Sequence, residues 1–287
     1  MTDSPFADAG RLRAALHQAF MRRYPQGATL LPPGADQMPQ VILDMAEFAL
    51  TQPQEDAEPK LTAWALDLRR LGFPLGEYEA VAGMLAEVAE LGEEDAAALI
   101  QAAAHMRAVS EEADAAGIPA AYVVQVNDVR RVSLPESDIS IIRAECGTEI
   151  AFAPGQRLTV MLAEHPGVWH EWVSAVPANA HGQVEFHVRA EEVPAIAPGA
   201  LLVIGAPRGE PAPLDRDALE LTAEGTSVAA AKAVVFALLE QPERPRVTLR
   251  YLGDTDAERY ELPVFQALAR VNDWLEVLEV NASPSNR

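Results

Sequence analysis

Ala223-Glu224-Gly225-Thr226-Ser227-Val228-Ala229-Ala230-Ala231-Lys232-Ala233 has the texture of a strand that leaves through a tight turn into an Ala-rich helix. That arrangement cradles a pyrophosphate in nucleotide-binding folds. It works because backbone N–H groups at a helix N-terminus approach the phosphates closely, which calls for glycine and for no neighbouring negative charge. Gly225 and the helix-forming run meet the requirement, and Glu224 does not. The stretch therefore assigns an α/β element of nucleotide-binding type while placing an acid where a phosphate belongs.

Around it, strand and helix patterns alternate. Leu219 and Leu221 lead into the turn, and the helix continues through Val234, Val235, Leu238 and Leu239. A strand at 247–252, a helix through Leu262, Phe265, Leu268 and Ala269, and a strand at 275–280 follow. This order predicts a small parallel sheet with right-handed crossovers and one uncovered edge. Upstream, residues 119–212 carry short β-branched runs at 122–126, 139–142, 158–162, 184–188 and 201–204. Turn residues at Pro154-Gly155, Asn179 to Gly182 and Pro198-Gly199 separate them, as in a small antiparallel barrel. Residues 1–118 have helical spacing throughout, as in Leu12, Leu16, Ala19 and Phe20, with breakers at Pro32-Pro33-Gly34, Pro53, Gly72 to Gly76 and Gly92. The expected fold is multidomain α+β: helices over 1–118, a barrel over 119–212 and a parallel α/β domain over 213–287.

Composition narrows the function classes. Of the 287 residues, 49% are hydrophobic and 23% charged, which suits a folded chain. A net charge of −21 repels nucleic acid and anionic lipid, and opposes a phosphorylated cofactor unless a local basic pocket overrides the field. Cys146 is the only cysteine, so no internal disulfide and no Cys-based metal cluster is expected. The first ten residues lack the basic and apolar regions of a signal peptide, and no apolar run reaches the ~20 residues of a membrane span. A cytoplasmic protein without membrane insertion is the expectation. His165, His170, His181 and His187 have no zinc-site spacing. Ser174 and Ser227 lack a nucleophile elbow, and Glu93-Glu94-Asp95 and Glu191-Glu192 read as solvated faces.

The domain order and several motifs resemble the flavohaemoglobins across nearly the whole chain. Phe152-Ala-Pro-Gly-Gln156, Pro166-Gly-Val-Trp169 and Glu185-Phe-His-Val-Arg189 are similar to barrel motifs of that family. Gly225-Thr226, Lys232-Ala233 and the segments Tyr251-Leu-Gly253 and Tyr260-Glu-Leu262 match its α/β half, and Tyr24-Pro25, Leu31-Pro32 and Arg69-Arg70-Leu71-Gly72 its helical part. The resemblance implies a haem-binding globin domain followed by a ferredoxin-reductase-type FAD and nicotinamide module.

Each implied site departs from the family pattern. Leu68 occupies the position of the proximal haem histidine and cannot bind iron, leaving His17 and His105 as the only imidazoles of the block. The flavin motif Arg-x-Tyr-Ser becomes His170-Glu171-Trp172-Val173. There Trp172 keeps a ring for stacking, but His170 replaces a guanidinium and Val173 a hydroxyl. The family's Gly-and-Ser-bearing helix start is replaced by a short Glu191-Glu192-Val193-Pro194 run, and its Gly-rich nucleotide turn by Glu224-Gly225-Thr226-Ser227. The chain stops at Asn281 to Arg287, before the family's later strands. The reading that follows is a degenerate, C-terminally truncated relative that is not an enzyme. It has no catalytic residue, no metal and no cofactor, and acts by protein–protein interaction as a scaffold or regulator, through a partner or as a homodimer. The alternative is a flavin-dependent oxidoreductase with an atypical FAD site, or an electron-transfer subunit of a composite reductase. The apolar residues Trp64, Leu68, Phe73 and Met84 are expected to fill the haem pocket.

Overall fold

The computed structural model describes residues 6–25, 34–134 and 137–281, so Leu31, Pro32, Pro33 and residues 282–287 lie outside the described residues. The chain divides into two compact units, residues 1–120 and 121–287. The first contains α1 (Ala9–Arg23), α2 (Gln40–Thr51), α3 (Gln54–Arg70), α4 (Tyr78–Val88) and α5 (Glu93–Ala115). Leu12, Leu16, Phe20, Leu43, Ala65, Leu85 and Met106 form its buried core, in the helical spacing seen in the sequence. The Arg69-Arg70-Leu71-Gly72 motif is a helix stop. The Phe73 amide donates to the Leu68 carbonyl at 2.9 Å around Gly72, whose φ of +77° suits only glycine without strain. Glu93, Glu94 and Asp95 stand in the first turn of α5, where the helix dipole favours acids.

The second unit opens with a six-stranded, curled antiparallel sheet: β1 (Tyr122–Val132), β2 (Ile139–Glu145), β3 (Arg157–Leu162), β4 (Trp169–Val173), β5 (Val184–Arg189) and β6 (Leu201–Arg208), ordered β4-β3-β6-β1-β2-β5. An isolated bridge between Ser174 and Phe186 joins the two ends. The core inside holds Val124, Ile142, Leu158, Val160, Phe186 and Leu202. A three-stranded parallel sheet follows, ordered β7-β8-β9, from β7 (Ala218–Ala223), β8 (Arg246–Leu252) and β9 (Leu275–Val280), with α6 (Val228–Leu239) and α7 (Leu262–Ala269) as crossovers. The protein is thus α+β with one curled antiparallel and one parallel sheet. No helix of the described residues is long and apolar enough to cross a membrane.

The Phe152 to Gln156 motif has a mechanical role here. Gly155 has φ +88°, and a Cβ there would stand 3.0 Å from the Ala212 amide. The Gln156 side chain accepts from the Ala153 amide at 2.8 Å and donates to the Gly209 carbonyl at 2.9 Å. The start of β3 is thereby fastened to the end of β6.

Candidate functional site

That fastening brings two arginines together. Arg157 of β3 lies directly opposite Arg208 of β6 and opposite Val173 of β4. Residues opposite each other across an antiparallel pair share a face. The outer face of three adjacent strands therefore presents Arg157, Arg208, Glu171 and Val173. Glu171 accepts from Arg157 at 2.8 Å and from Arg208 at 3.4 Å, so this carboxylate bridges the two guanidiniums. The charges remain solvent-accessible, with side-chain exposures of 53% for Arg157, 25% for Arg208 and 41% for Glu171.

His170 and Trp172 take the opposite face of β4. Their partners in register are Val160 and Leu158, both in the barrel core. The Trp172 indole has Phe186 at 5.2 Å on one flank and the His170 imidazole stacked at 5.4 Å. Trp172 thus packs as core and offers no free ring face for flavin stacking. His170 Nε2 is buried without a hydrogen-bond partner among the described residues.

The nucleotide-type turn is closed by its own side chains. Gly225 adopts φ +51°. The Glu224 amide donates to Ser227 Oγ at 2.9 Å, whose hydroxyl returns to the Glu224 carbonyl at 2.8 Å. The Tyr260 hydroxyl donates to the Gly225 carbonyl at 3.0 Å and lies 2.8 Å from His187 Nδ1. Thr226 stands half-buried in the same turn.

Behind the turn lies a buried charge cluster. Lys232 Nζ on α6 donates to Glu185 Oε1 of β5 at 2.7 Å and to Glu261 Oε2 at 2.8 Å. His187 Nε2 stands 2.9 Å from the same Glu185 oxygen and carries the proton, because a carboxylate only accepts. Arg143 holds the second oxygen of Glu185 at 2.6 Å, and Arg130 that of Glu261 at 2.7 Å. Burial alone would raise the Glu185 carboxyl, but the hydrogen bonds from His187 and Lys232, the Lys232 charge and Arg143 together hold it well below the usual carboxylate range.

A depressed folded-state value means that this stabilisation is present above the ordinary value of ~4.3 and disappears as pH falls below it. Thermal melts of the wild type are therefore expected to lose stability progressively below about pH 5, the loss continuing as pH falls through the depressed folded-state value. Glu185→Gln, which has no carboxyl to protonate, should be less stable at neutral pH and show a shallower loss. Parallel slopes for the two proteins would exclude Glu185 as a source of the acid sensitivity.

In the helical unit, Leu68 lines an apolar pocket of about 110 Å³ together with Phe73, Leu85 and Met106. Met84 and Trp64 belong to the surrounding core and do not line it. Among the described residues no imidazole lines it, and pockets for drug-sized ligands enclose roughly 300–1,000 Å³. The pocket as it stands does not fit a haem. His105 bonds Thr62 Oγ1 at 3.1 Å, and His17 lies on α1. No group of three or more potential metal ligands forms among the described residues. Elsewhere, Glu191 accepts from Ser137, and Ser174 Oγ donates to the Val176 carbonyl at 2.8 Å.

No family model and no curated protein sequence matches the chain. Among solved structures, a flavohaemoglobin from Malassezia yamatoensis with bound FAD and haem matches with TM-score 0.60 and 14% identity, over 94% of this chain and 78% of that one. Ferredoxin-NADP+ reductase from Plasmodium falciparum matches with TM-score 0.47 and 11% identity, over 59% of this chain and 74% of that one. The ferredoxin reductase in carbazole 1,9a-dioxygenase gives 0.42 and 22%, over 58% and 51%. The first match carries the fold. It also corrects the expectation of a chain without any cofactor, because the solved protein that shares this fold carries FAD and haem. That expectation was drawn from motif residues along the sequence and did not include Arg157 and Arg208, whose pairing depends on strand register.

Proposed function

We propose that the β-rich unit is a flavin-dependent oxidoreductase module with an altered FAD site, in which Arg157 and Arg208 receive the phosphates. The observation that supports this reading is the arginine pair on the outer barrel face, within a fold shared with an FAD-carrying protein. Each guanidinium is a planar fork of N–H donors whose geometry suits phosphate, and both lie on the face that Glu171 occupies. The patch also supplies the local positive charge that a chain of net charge −21 needs to accept a phosphorylated ligand.

When bound, a flavin supplies hydride and single-electron chemistry. The chain orients the ligand through the two forks, and Gln156 keeps them at a fixed spacing by fastening β3 to the end of β6. Glu171 preorganises both guanidiniums and competes with an incoming phosphate for them. Trp172 and Phe186 support the strands from inside.

Titration of the purified chain with FAD, followed by flavin absorption and fluorescence, tests the reading. One equivalent should bind. Arg157→Ala and Arg208→Ala should each weaken binding by about 10-fold or more, the equivalent of a charge-assisted hydrogen bond. Glu171→Gln should tighten it by removing a negative charge that competes with phosphate for both arginines. Absence of saturable binding, or equal affinity in all four proteins, would refute the proposal.

A further inference from the structure

The apolar pocket of the helical unit does not belong to the flavin module. It lies between α2, α3, α4 and α5, with Ala46, Leu68, Phe73, Leu85, Ala103 and Met106 among its walls. Tyr78 also lines it, but its hydroxyl is turned away, 3.1 Å from Ser110 Oγ and 3.4 Å from the Ala65 carbonyl. A resident water needs two to four polar partners, which this lining does not offer. Close-packed interiors keep few voids larger than a water molecule, and a dry apolar cavity of about 150 Å³ takes up benzene or xenon. At about 110 Å³ the pocket is of the same order, and Met45 and Met106 give it walls that adapt to an occupant.

Its surroundings select by charge. A polar cleft of about 540 Å³ shares the walls Ala49, Leu61 and Ala102 with the pocket, and Glu58, Glu94 and Asp95 line that cleft. Three carboxylates in the adjoining cleft disfavour an anionic ligand, and an apolar lining gives its charge no compensating partner. We infer that the helical unit binds a small, uncharged apolar molecule the size of a single aromatic ring, and rejects its carboxylated analogue.

Methyl NMR of the full chain provides the test, with benzene and benzoate as probes of equal ring size and different charge. Benzene should shift the Leu85 and Met106 methyl signals saturably and raise the melting temperature, while benzoate at the same concentration leaves both unchanged. Ala103→Leu, which fills the pocket, should weaken benzene binding at least about 10-fold. If that variant does not fold, Ala46→Val narrows the opposite wall and should weaken binding in the same direction. Unsaturable or evenly scattered shifts, equal binding of benzoate, or unchanged benzene affinity in the folded filled variant would each overturn the inference.

Discussion

Lys232→Met is expected to destabilise the β-rich unit by roughly 3–5 kcal/mol, the cost of leaving buried charge without its partner. Lys232 is 5% exposed, and among the described residues its ammonium is the one cation hydrogen-bonded to both Glu185 and Glu261. Methionine keeps an unbranched apolar stem beside Phe236 and removes only the charge. Two nearly buried carboxylates would then face each other across the vacated position, and Arg143 and Arg130 would reach only their far oxygens. Urea unfolding followed by tryptophan fluorescence measures the loss. Adding Glu185→Gln and Glu261→Gln to the Lys232→Met background should recover a large share of it, because amides neither repel nor demand a counter-ion. A loss below about 1 kcal/mol, the range of an exposed ion pair, would show that the cluster is hydrated and not a structural joint.

This cluster also marks where sequence reading stopped. The 223–233 stretch was legible as strand, turn and helix, because Gly225 and the alanines carry local preferences that the fold keeps. Lys232 in the same stretch was not, since a single lysine in an Ala-rich helix normally faces water. Its carboxylate partners lie on β5 and just before α7, and only tertiary packing brings them together. Leu68 was readable as a residue that cannot ligate iron, whereas the void beside it depends on how four helices pack.

Strand β4 gives the same lesson through register. Matching a motif along β4 selects His170 and Trp172, but side chains alternate faces, and a shift of one residue exchanges inside for outside. The register shift opposite Thr159, where β6 carries the extra residue between Ile204 and Pro207, and the pairing of β3 with both β4 and β6, decide which side chains share the outer surface. Arg157 and Arg208 are far apart in sequence and belong to no common motif, so no spacing rule selects them.

The face assignment has its own decisive consequence. Trp172→Ala is expected to cost roughly 3–5 kcal/mol of stability in the absence of any ligand, as for a large aromatic side chain removed from a packed core. Trp172 is 8% exposed and contacts Phe186, itself fully buried, so the truncation opens a cavity that the strands cannot easily close. Trp172→Phe retains most of the volume and should cost much less. If the ring were instead a platform for a flavin, the alanine variant would keep its ligand-free stability and lose FAD affinity. On the interior assignment the order reverses: Trp172→Phe binds FAD as the wild type does, while Arg157→Ala leaves the ligand-free melt nearly unchanged and weakens FAD. Unfolding and titration of these variants therefore decide which face of β4 meets the ligand, because each face predicts damage in a different measurement.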